Sequence, residues 1–86
     1  MSDNIFLSFG SNIGNKRENI EKAYYELKNA GIKILKVSHF YETKPYGVET
    51  QSDFLNSVAQ ISTNYGPFKL LEALKMIEKK IGIAAS

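Results

Sequence analysis

The segment between residues 40 and 56 constrains the fold of this chain more than any other. It follows an apolar, β-branched stretch that ends at Tyr41, and a second such stretch begins at Phe54. Between them, Pro45 fixes its own backbone torsion and lacks a hydrogen-bond donor, and Gly47 adds conformational freedom. No regular element can cross this segment, so the sequence predicts a loop that joins two strands.

The side chains of this loop suit recognition of a flat, hydrogen-bonding heterocycle. Three aromatic rings, one hydroxyl and one carboxamide lie close together in sequence: Tyr41, Tyr46, Phe54, Thr43 and Asn56. Ligand pockets combine apolar walls with a few placed polar groups, and this set provides both. The alternative is a long hairpin loop whose aromatic rings fold back on the sheet, and composition alone leaves both possibilities open.

Asn56 falls inside an apolar stretch that predicts a strand over residues 54–63. Asparagine is disfavoured in a strand interior unless its amide finds partners. A cross-strand hydrogen bond and contact with a ligand would each satisfy that amide.

Apolar alternation predicts two further strands. The first covers residues 5–9 and has apolar side chains on both faces, so we expect it to be mostly buried. The second covers residues 32–41 and changes phase near Ile34, which indicates a bulge.

Helical spacing predicts two helices. The first spans residues 16–30, with Asn15 as its N-cap and Gly31 at its end. The second begins at Pro67, carries the apolar stripe Leu70, Leu71, Leu74, Ile77 and Ile81, and ends at Gly82.

The resulting order, β-α-β-β-α, is an α+β pattern that resembles a ferredoxin-like two-layer sandwich. That fold requires a fourth strand beside the first, but the sequence ends at Ser86. We therefore expect residues 1–86 to form a single domain with a truncated ferredoxin-like fold and the fourth strand missing.

Composition excludes several functional classes. Without cysteine, the chain cannot form a disulfide framework, a thiolate nucleophile or a cysteine zinc site. Its 11 basic and 9 acidic residues are dispersed, so we expect no nucleic-acid partner. No membrane-length apolar run or signal-peptide pattern occurs, which favours a cytoplasmic protein with no membrane partner. The single histidine, His39, has no ligating partner nearby in sequence and is interpreted as a strand residue.

Several motifs occur along the chain in a specific order. They are a strand that ends in Gly10-Ser11-Asn12, a loop Tyr41-x-Thr43-x-Pro45-x-Gly47 and a strand start Phe54-Leu55-Asn56. The glycine pattern is not a phosphate-binding P-loop, because the Gly-Lys-Ser/Thr ending is absent, and taken alone it favours a plain strand-to-helix turn. Together, however, the motifs resemble hydroxymethyldihydropterin pyrophosphokinases of folate biosynthesis over nearly the whole chain.

The resemblance implies transfer of the terminal pyrophosphate of ATP, through two magnesium ions, to the hydroxymethyl group of a reduced pterin. By position, it implies that Thr43, Pro45 and Tyr46 line the pterin pocket, chiefly through backbone groups. Phe54 would stack on the pterin ring, and Asn56 would hydrogen-bond its polar edge.

The resemblance also implies two further groups of residues. Gly10, Ser11 and Asn12 would form a mobile loop near the reacting groups. Lys75 and Glu78 of the second helix would face the nucleotide, although family members often carry glutamine at the Lys75 position.

The family pattern continues beyond the glycine that matches Gly82, with an arginine-bearing loop and a strand that carries two magnesium-binding aspartates. This sequence has Ile83 at the arginine position and ends at Ser86, so we expect no metal site in it. It is similar to the N-terminal portion of the enzyme and is expected to be inactive alone.

The alternative function is a small ferredoxin-like binding or dimerisation module without catalysis. A missing fourth strand would leave residues 5–9 as an unprotected edge, which predicts a homodimer or a larger assembly.

Overall fold

A computed structural model describes residues 2–45 and 52–85 of the chain. The elements run in the order β1 (Ser2–Ser11), α1 (Lys16–Asn29), β2 (Lys33–Val37), β3 (Tyr41–Thr43), β4 (Phe54–Thr63), α2 (Pro67–Ile81) and β5 (Ala84–Ala85). The strands of the described part form one antiparallel sheet in the order β2-β4-β1-β5, and β3 also pairs with β4. This α+β arrangement is compatible with a ferredoxin-like fold.

The pairing of β1 with β4 forms the centre of the sheet. Leu7 lies opposite Ala59, and Phe9 lies opposite Ser57. Since opposite residues point to the same side of a sheet, these four side chains share one side, and all four are buried. The prediction that β1 is buried on both faces is wrong at Phe6, which points to the other side and is 63% exposed.

The two helices cover one side of the sheet. α1 packs on β1, β2 and β4, and α2 packs on α1 and β5. Buried apolar residues between these layers form the core: Leu7, Phe9, Ile20, Ala23, Leu27, Ile32, Ala59, Ile61, Leu74, Ile77 and Ile83. Within the described residues, neither helix is long and apolar enough to cross a membrane.

The predicted N-cap of α1, the predicted end of α2 and the predicted bulge in β2 are confirmed. The Asn15 side chain accepts a hydrogen bond from the backbone N–H of Glu18 at 3.1 Å, as expected of an N-cap. Gly82 ends α2 with a left-handed φ of 80°. The register of β2 against β4 shifts between Ile34 and Lys36, where the sequence predicts a bulge.

The strand predicted over residues 32–41 is divided into β2 and β3. Between them, the backbone N–H of Ser38 donates to the carbonyl oxygen of Val58 at 2.8 Å. The return hydrogen bond from the N–H of Val58 goes to Oγ of Ser38 at 2.8 Å, so the side chain replaces the backbone carbonyl as acceptor. The Arg17 guanidinium lies 4.8 Å from the centre of the Phe40 ring and ties the connecting segment to α1.

The prediction that the fourth strand is missing is wrong in part. Ala84 and Ala85 form β5, which lies antiparallel to β1 with Ala84 opposite Gly10 and Ala85 opposite Phe9. Burial of Ile83, which is only 7% exposed, brings the chain back to the sheet after α2. The outer edge of β1 is therefore covered at Phe9 and Gly10.

The apolar stripe predicted for α2 is only partly buried. Leu74 and Ile77 lie in the core, but Leu71 is 49% exposed. Among the described elements, α2 contacts only α1 and β5.

Tyr24 connects α1 to the centre of the sheet. Its ring meets the Phe9 ring edge-on, with 5.3 Å between ring centres, and its hydroxyl donates to Oγ of the buried Ser57 at 2.6 Å. Burial raises the pKa of the Tyr24 phenol above its ordinary value; the Ser57 hydrogen bond opposes this rise, and Tyr41 adds to it.

Tyr24→Phe should reduce the loss of stability at alkaline pH. A phenol whose pKa is raised by folding contributes its full stabilisation below about pH 10 and loses it as the pH rises through the folded-state pKa. The urea midpoint of the parent should therefore fall more steeply than that of Tyr24→Phe between about pH 9 and about pH 11. Tyr25→Phe is the control, because Tyr25 is 64% exposed. Equal slopes for the parent and Tyr24→Phe would contradict this assignment.

Candidate functional site

Three strands bring several of the predicted site residues together at one end of the sheet. Gly10 of β1 and Tyr41 of β3 each lie opposite Asn56 of β4, and Thr43 lies opposite Phe54. These five residues, which we call the Asn56 cluster, share the side of the sheet that faces away from the helices. Thr43 is exposed, whereas Phe54 and Asn56 are half-buried.

The amide nitrogen of Asn56 has its partners within this cluster. Nδ2 donates to Oγ1 of Thr43 at 2.8 Å, and it lies 3.3 Å from the carbonyl oxygen of Tyr41 and 3.4 Å from that of Phe54. Carbonyl oxygens only accept hydrogen bonds, so they favour the nitrogen end of the amide on this side. The cross-strand hydrogen bond expected of a strand asparagine is therefore present.

The amide oxygen of Asn56 faces Gly10. A Cβ atom at position 10 would lie 2.8 Å from Oδ1 of Asn56 and 3.4 Å from Cδ1 of Phe54. The first distance is too short for an ordinary contact, so Asn56 occupies this position because residue 10 has no side chain.

The loop predicted for Gly10, Ser11 and Asn12 begins later than expected. β1 continues through Ser11, so Gly10 and Ser11 lie in a strand and only Asn12 lies in the loop. The expected role of the three residues near the reacting groups stays a prediction. Ser11 is 1% exposed and accepts a hydrogen bond from Nδ2 of Asn19 at 3.2 Å. Because adjacent strand residues point to opposite sides, β1 brings Gly10 to the Asn56 cluster and directs Ser11 toward the helices. Asn12 is half-buried at the start of the loop.

Two other predicted pterin residues follow β3. Pro45 is half-buried and lies two residues after Thr43, at the end of the first described range. Tyr46 lies outside the described residues, so its role stays a prediction.

Lys75 and Glu78 lie on α2 and do not join the Asn56 cluster. Lys75 is exposed and Glu78 is half-buried. In the described part of the chain, α2 contacts α1 and β5 but not β3 or β4. The expected nucleotide-facing role of both residues stays a prediction.

One contact that the sequence did not predict fixes the start of β4. The Nζ atom of Lys16, the first residue of α1, donates to the carbonyl oxygen of Asp53 at 2.8 Å. Asp53 directly precedes Phe54, so the helix N-terminus holds the strand at the point where the aromatic ring enters the cluster. Charge spacing gives no signal for a bond between residues 37 positions apart.

The residues that the structure describes include no group of three or more histidine, cysteine, aspartate or glutamate side chains that could hold a metal ion. The described donor set therefore does not fit a magnesium site. The ring of His39 lies 6.2 Å from the ring of Tyr41. His39 lies in the connection between β2 and β3, so its interpretation as a strand residue is wrong.

The open side of the sheet also carries a separate depression of about 180 Å³, lined by Phe6, Lys36, Val37, Ser38, Val58 and Gln60. It lies farther along the strands than the Asn56 cluster and combines apolar side chains with polar ones, so it is a competing location for a ligand on this side.

Comparison with known families identifies the chain. Residues 6–85 match the model of the 7,8-dihydro-6-hydroxymethylpterin-pyrophosphokinase (HPPK) family. The chain belongs to the HPPK family. The matched range includes every residue of the Asn56 cluster.

Named HPPK relatives match most of this chain. The 2-amino-4-hydroxy-6-hydroxymethyldihydropteridine pyrophosphokinase of Bacillus subtilis is 39% identical over 83 residues, which are 95% of this chain and 50% of that protein. The protein of the same name from Aquifex aeolicus is 38% identical over 91% of this chain and 48% of its own length. A folic acid synthesis protein of Schizosaccharomyces pombe is 47% identical over 90% of this chain and 11% of its own length. The chain thus spans half or less of these relatives.

Solved structures support the fold. An unknown protein from Galdieria sulphuraria has a TM-score of 0.59 and 15% identity over 94% of this chain and 45% of its own. Prephenate dehydratase from Streptococcus mutans has a TM-score of 0.51 and 17% identity over 94% of this chain and 39% of its own. At these identities the similarity shows the fold alone.

Proposed function

We propose that this chain forms the pterin-binding portion of an HPPK enzyme and that the Asn56 cluster is part of its pterin site. The complete protein would transfer pyrophosphate from ATP to the hydroxymethyl group of a reduced pterin. The observation that carries this proposal is the strand register, which gathers Gly10, Thr43, Phe54 and Asn56 on one open side of an HPPK-family chain.

The chemistry of the cluster supports a flat heterocyclic ligand. The half-buried ring of Phe54 offers an aromatic surface for stacking, and Asn56 offers an amide at the edge of that surface. The backbone groups of Thr43 and Pro45, with Tyr46 beyond them, would complete this wall.

The nucleotide half of the reaction requires more than the described residues provide. Pyrophosphoryl transfer from ATP depends on positioning and on charge neutralisation by magnesium, and no described side-chain cluster fits that metal. We propose that Lys75 and Glu78 face ATP in the complete protein. We also propose that the complete protein is located in the cytoplasm. The present chain would supply pterin binding without a complete catalytic set.

The chain alone should show no pyrophosphoryl transfer from ATP to hydroxymethyldihydropterin, because no side-chain cluster among the described residues fits the charge-stabilising magnesium ions. Product formation can be followed by chromatography at saturating Mg²⁺, with a mock purification to detect host enzyme. Turnover that copurifies with the chain and exceeds the mock control would refute this expectation.

Pterin itself should bind weakly but measurably to the parent chain. An aromatic stack contributes about 0.5–1.5 kcal/mol beyond its buried area, and only one wall of the pocket is expected here. Phe54→Ala and Asn56→Ala should each abolish this binding in a fluorescence titration. Val58→Ala, two residues along the same side of β4, is the matched control. If both cluster variants bind pterin like the parent, the proposed site is wrong.

A binding or dimerisation module without catalysis is the second candidate function. Among the described residues, the outer edge of β1 pairs only at Phe9 and Gly10, so the preceding residues present unpaired backbone groups. The exposed side chains of Phe68, Leu71 and Met76 on α2 add apolar surface. The unpaired part of β1 supports self-association through the first strand, as a homodimer or a larger assembly, and the apolar side chains of α2 offer further surface for it.

Sedimentation at micromolar concentration should therefore detect an assembly with an interface above about 1,000 Å². Phe6→Lys should dissociate it, because a lysine on an edge strand opposes pairing with another strand. Tyr25→Lys is the control, since Tyr25 and Phe6 are 64% and 63% exposed. A folded monomer at all concentrations would exclude this assembly.

A further inference from the structure

We propose that Lys16 is a positioning residue for the pterin site. Its hydrogen bond to the backbone of Asp53 holds the start of β4, and with it the Phe54 ring, in the place where a flat ligand stacks. This inference rests on the proposed pterin function. It gives a part in ligand binding to a helix residue that no sequence motif singled out.

The sheet alone holds Phe54 weakly. Among the described residues, the pairing of β4 with β1 ends at Leu55 opposite Ser11, so Phe54 has no partner in β1. On its other side, Phe54 pairs with Thr43 of β3, a strand of three exposed residues. A strand end that is paired on one side, by a short exposed partner, opens locally at a low cost in free energy. The Phe54 ring therefore needs a further contact to stay in one place.

Lys16 supplies a contact at this point. Its Nζ atom donates to the carbonyl oxygen of Asp53 at 2.8 Å, and both residues are half-buried. A hydrogen bond from a charged donor is stronger than one between neutral groups. The Asp53 carbonyl lies in the same planar peptide unit as the nitrogen and Cα of Phe54. Fixing this carbonyl therefore fixes the plane from which the Phe54 ring projects.

The position of Lys16 does not suit stabilisation of its own helix. Lys16 is the first residue of α1, and the helix dipole opposes a positive charge there. Neither ion pair of the described residues includes Lys16, so no described carboxylate compensates its charge. The bond to Asp53 is thus the favourable polar contact of this ammonium group in the described part of the chain.

Loss of this bond should weaken ligand binding without unfolding the chain. Lysine and methionine have similar helix propensities, so Lys16→Met removes the donor while α1 is retained. The released start of β4 would have to be ordered each time a ligand binds, and this ordering lowers the affinity. Ordering the backbone of one residue reduces affinity by about fivefold or more.

The experiment compares the 86-residue chain with three variants. Fluorescence titration gives the dissociation constant of 6-hydroxymethylpterin, urea unfolding gives the midpoint, and ¹⁵N relaxation gives the order parameters of the backbone amides. Lys16→Met removes the bond, whereas Lys16→Arg retains a charged donor. Lys22→Met is the matched control, because Lys22 lies on the same helix and makes only an exposed ion pair with Glu18.

Lys16→Met should weaken pterin binding by about fivefold. The order parameter of the Phe54 amide should fall in this variant, whereas that of the buried Ala59 and the urea midpoint should stay close to those of the parent. Lys16→Arg should bind pterin more tightly than Lys16→Met does. Lys22→Met should match the parent in all three measurements.

The other outcomes separate failure of this inference from failure of the proposed function. Parent-like affinity, or a parent-like Phe54 order parameter, in Lys16→Met would overturn the positioning role, while pterin binding by the parent still supported the proposed function. A joint fall of the affinity, the urea midpoint and the Ala59 order parameter would show that Lys16 stabilises the whole fold, and would overturn it too. If the parent binds no pterin, the proposed function fails and this inference fails with it.

Discussion

The antiparallel pairing of β1 with β4 is the constraint on which the rest of the structure depends. A shift of one residue would move every side chain to the opposite side of the sheet. In the observed register, Leu7 and Ala59 lie together beneath the helices, whereas Gly10 and Asn56 lie together on the open side. Core packing and the candidate binding surface are therefore fixed by the same backbone hydrogen bonds, and Lys16 strengthens this arrangement by holding the chain at Asp53.

Features encoded by neighbouring residues could be predicted from the sequence. The limits of β4, the Asn15 cap and the end of α2 at Gly82 follow from local propensity and periodicity. Features that depend on distant partners could not. Ser38 interrupts the second predicted strand through a bond to Val58, and β5 forms because two alanines reach the edge of β1.

The candidate site likewise has features that the sequence predicts and features that depend on distant partners. Motifs identified Thr43, Phe54 and Asn56, and the register brings them together. The sequence did not reveal that Gly10 lies directly against the Asn56 amide, because that contact requires the pairing of two strands far apart in the chain. Conversely, the family resemblance assigns a nucleotide-facing role to Lys75. In the described residues, however, Lys75 lies on a helix that does not reach the cluster.

The central claim is that the open side of the sheet binds a pterin at the Asn56 cluster, and an NMR titration of the ¹⁵N-labelled chain with 6-hydroxymethylpterin tests it most directly. The backbone amides of Gly10 and Thr43 and the side-chain amide of Asn56 should shift together along one saturable curve. Shifts confined to Val58 and Gln60 in the neighbouring depression, or no saturable shifts at all, would contradict the account.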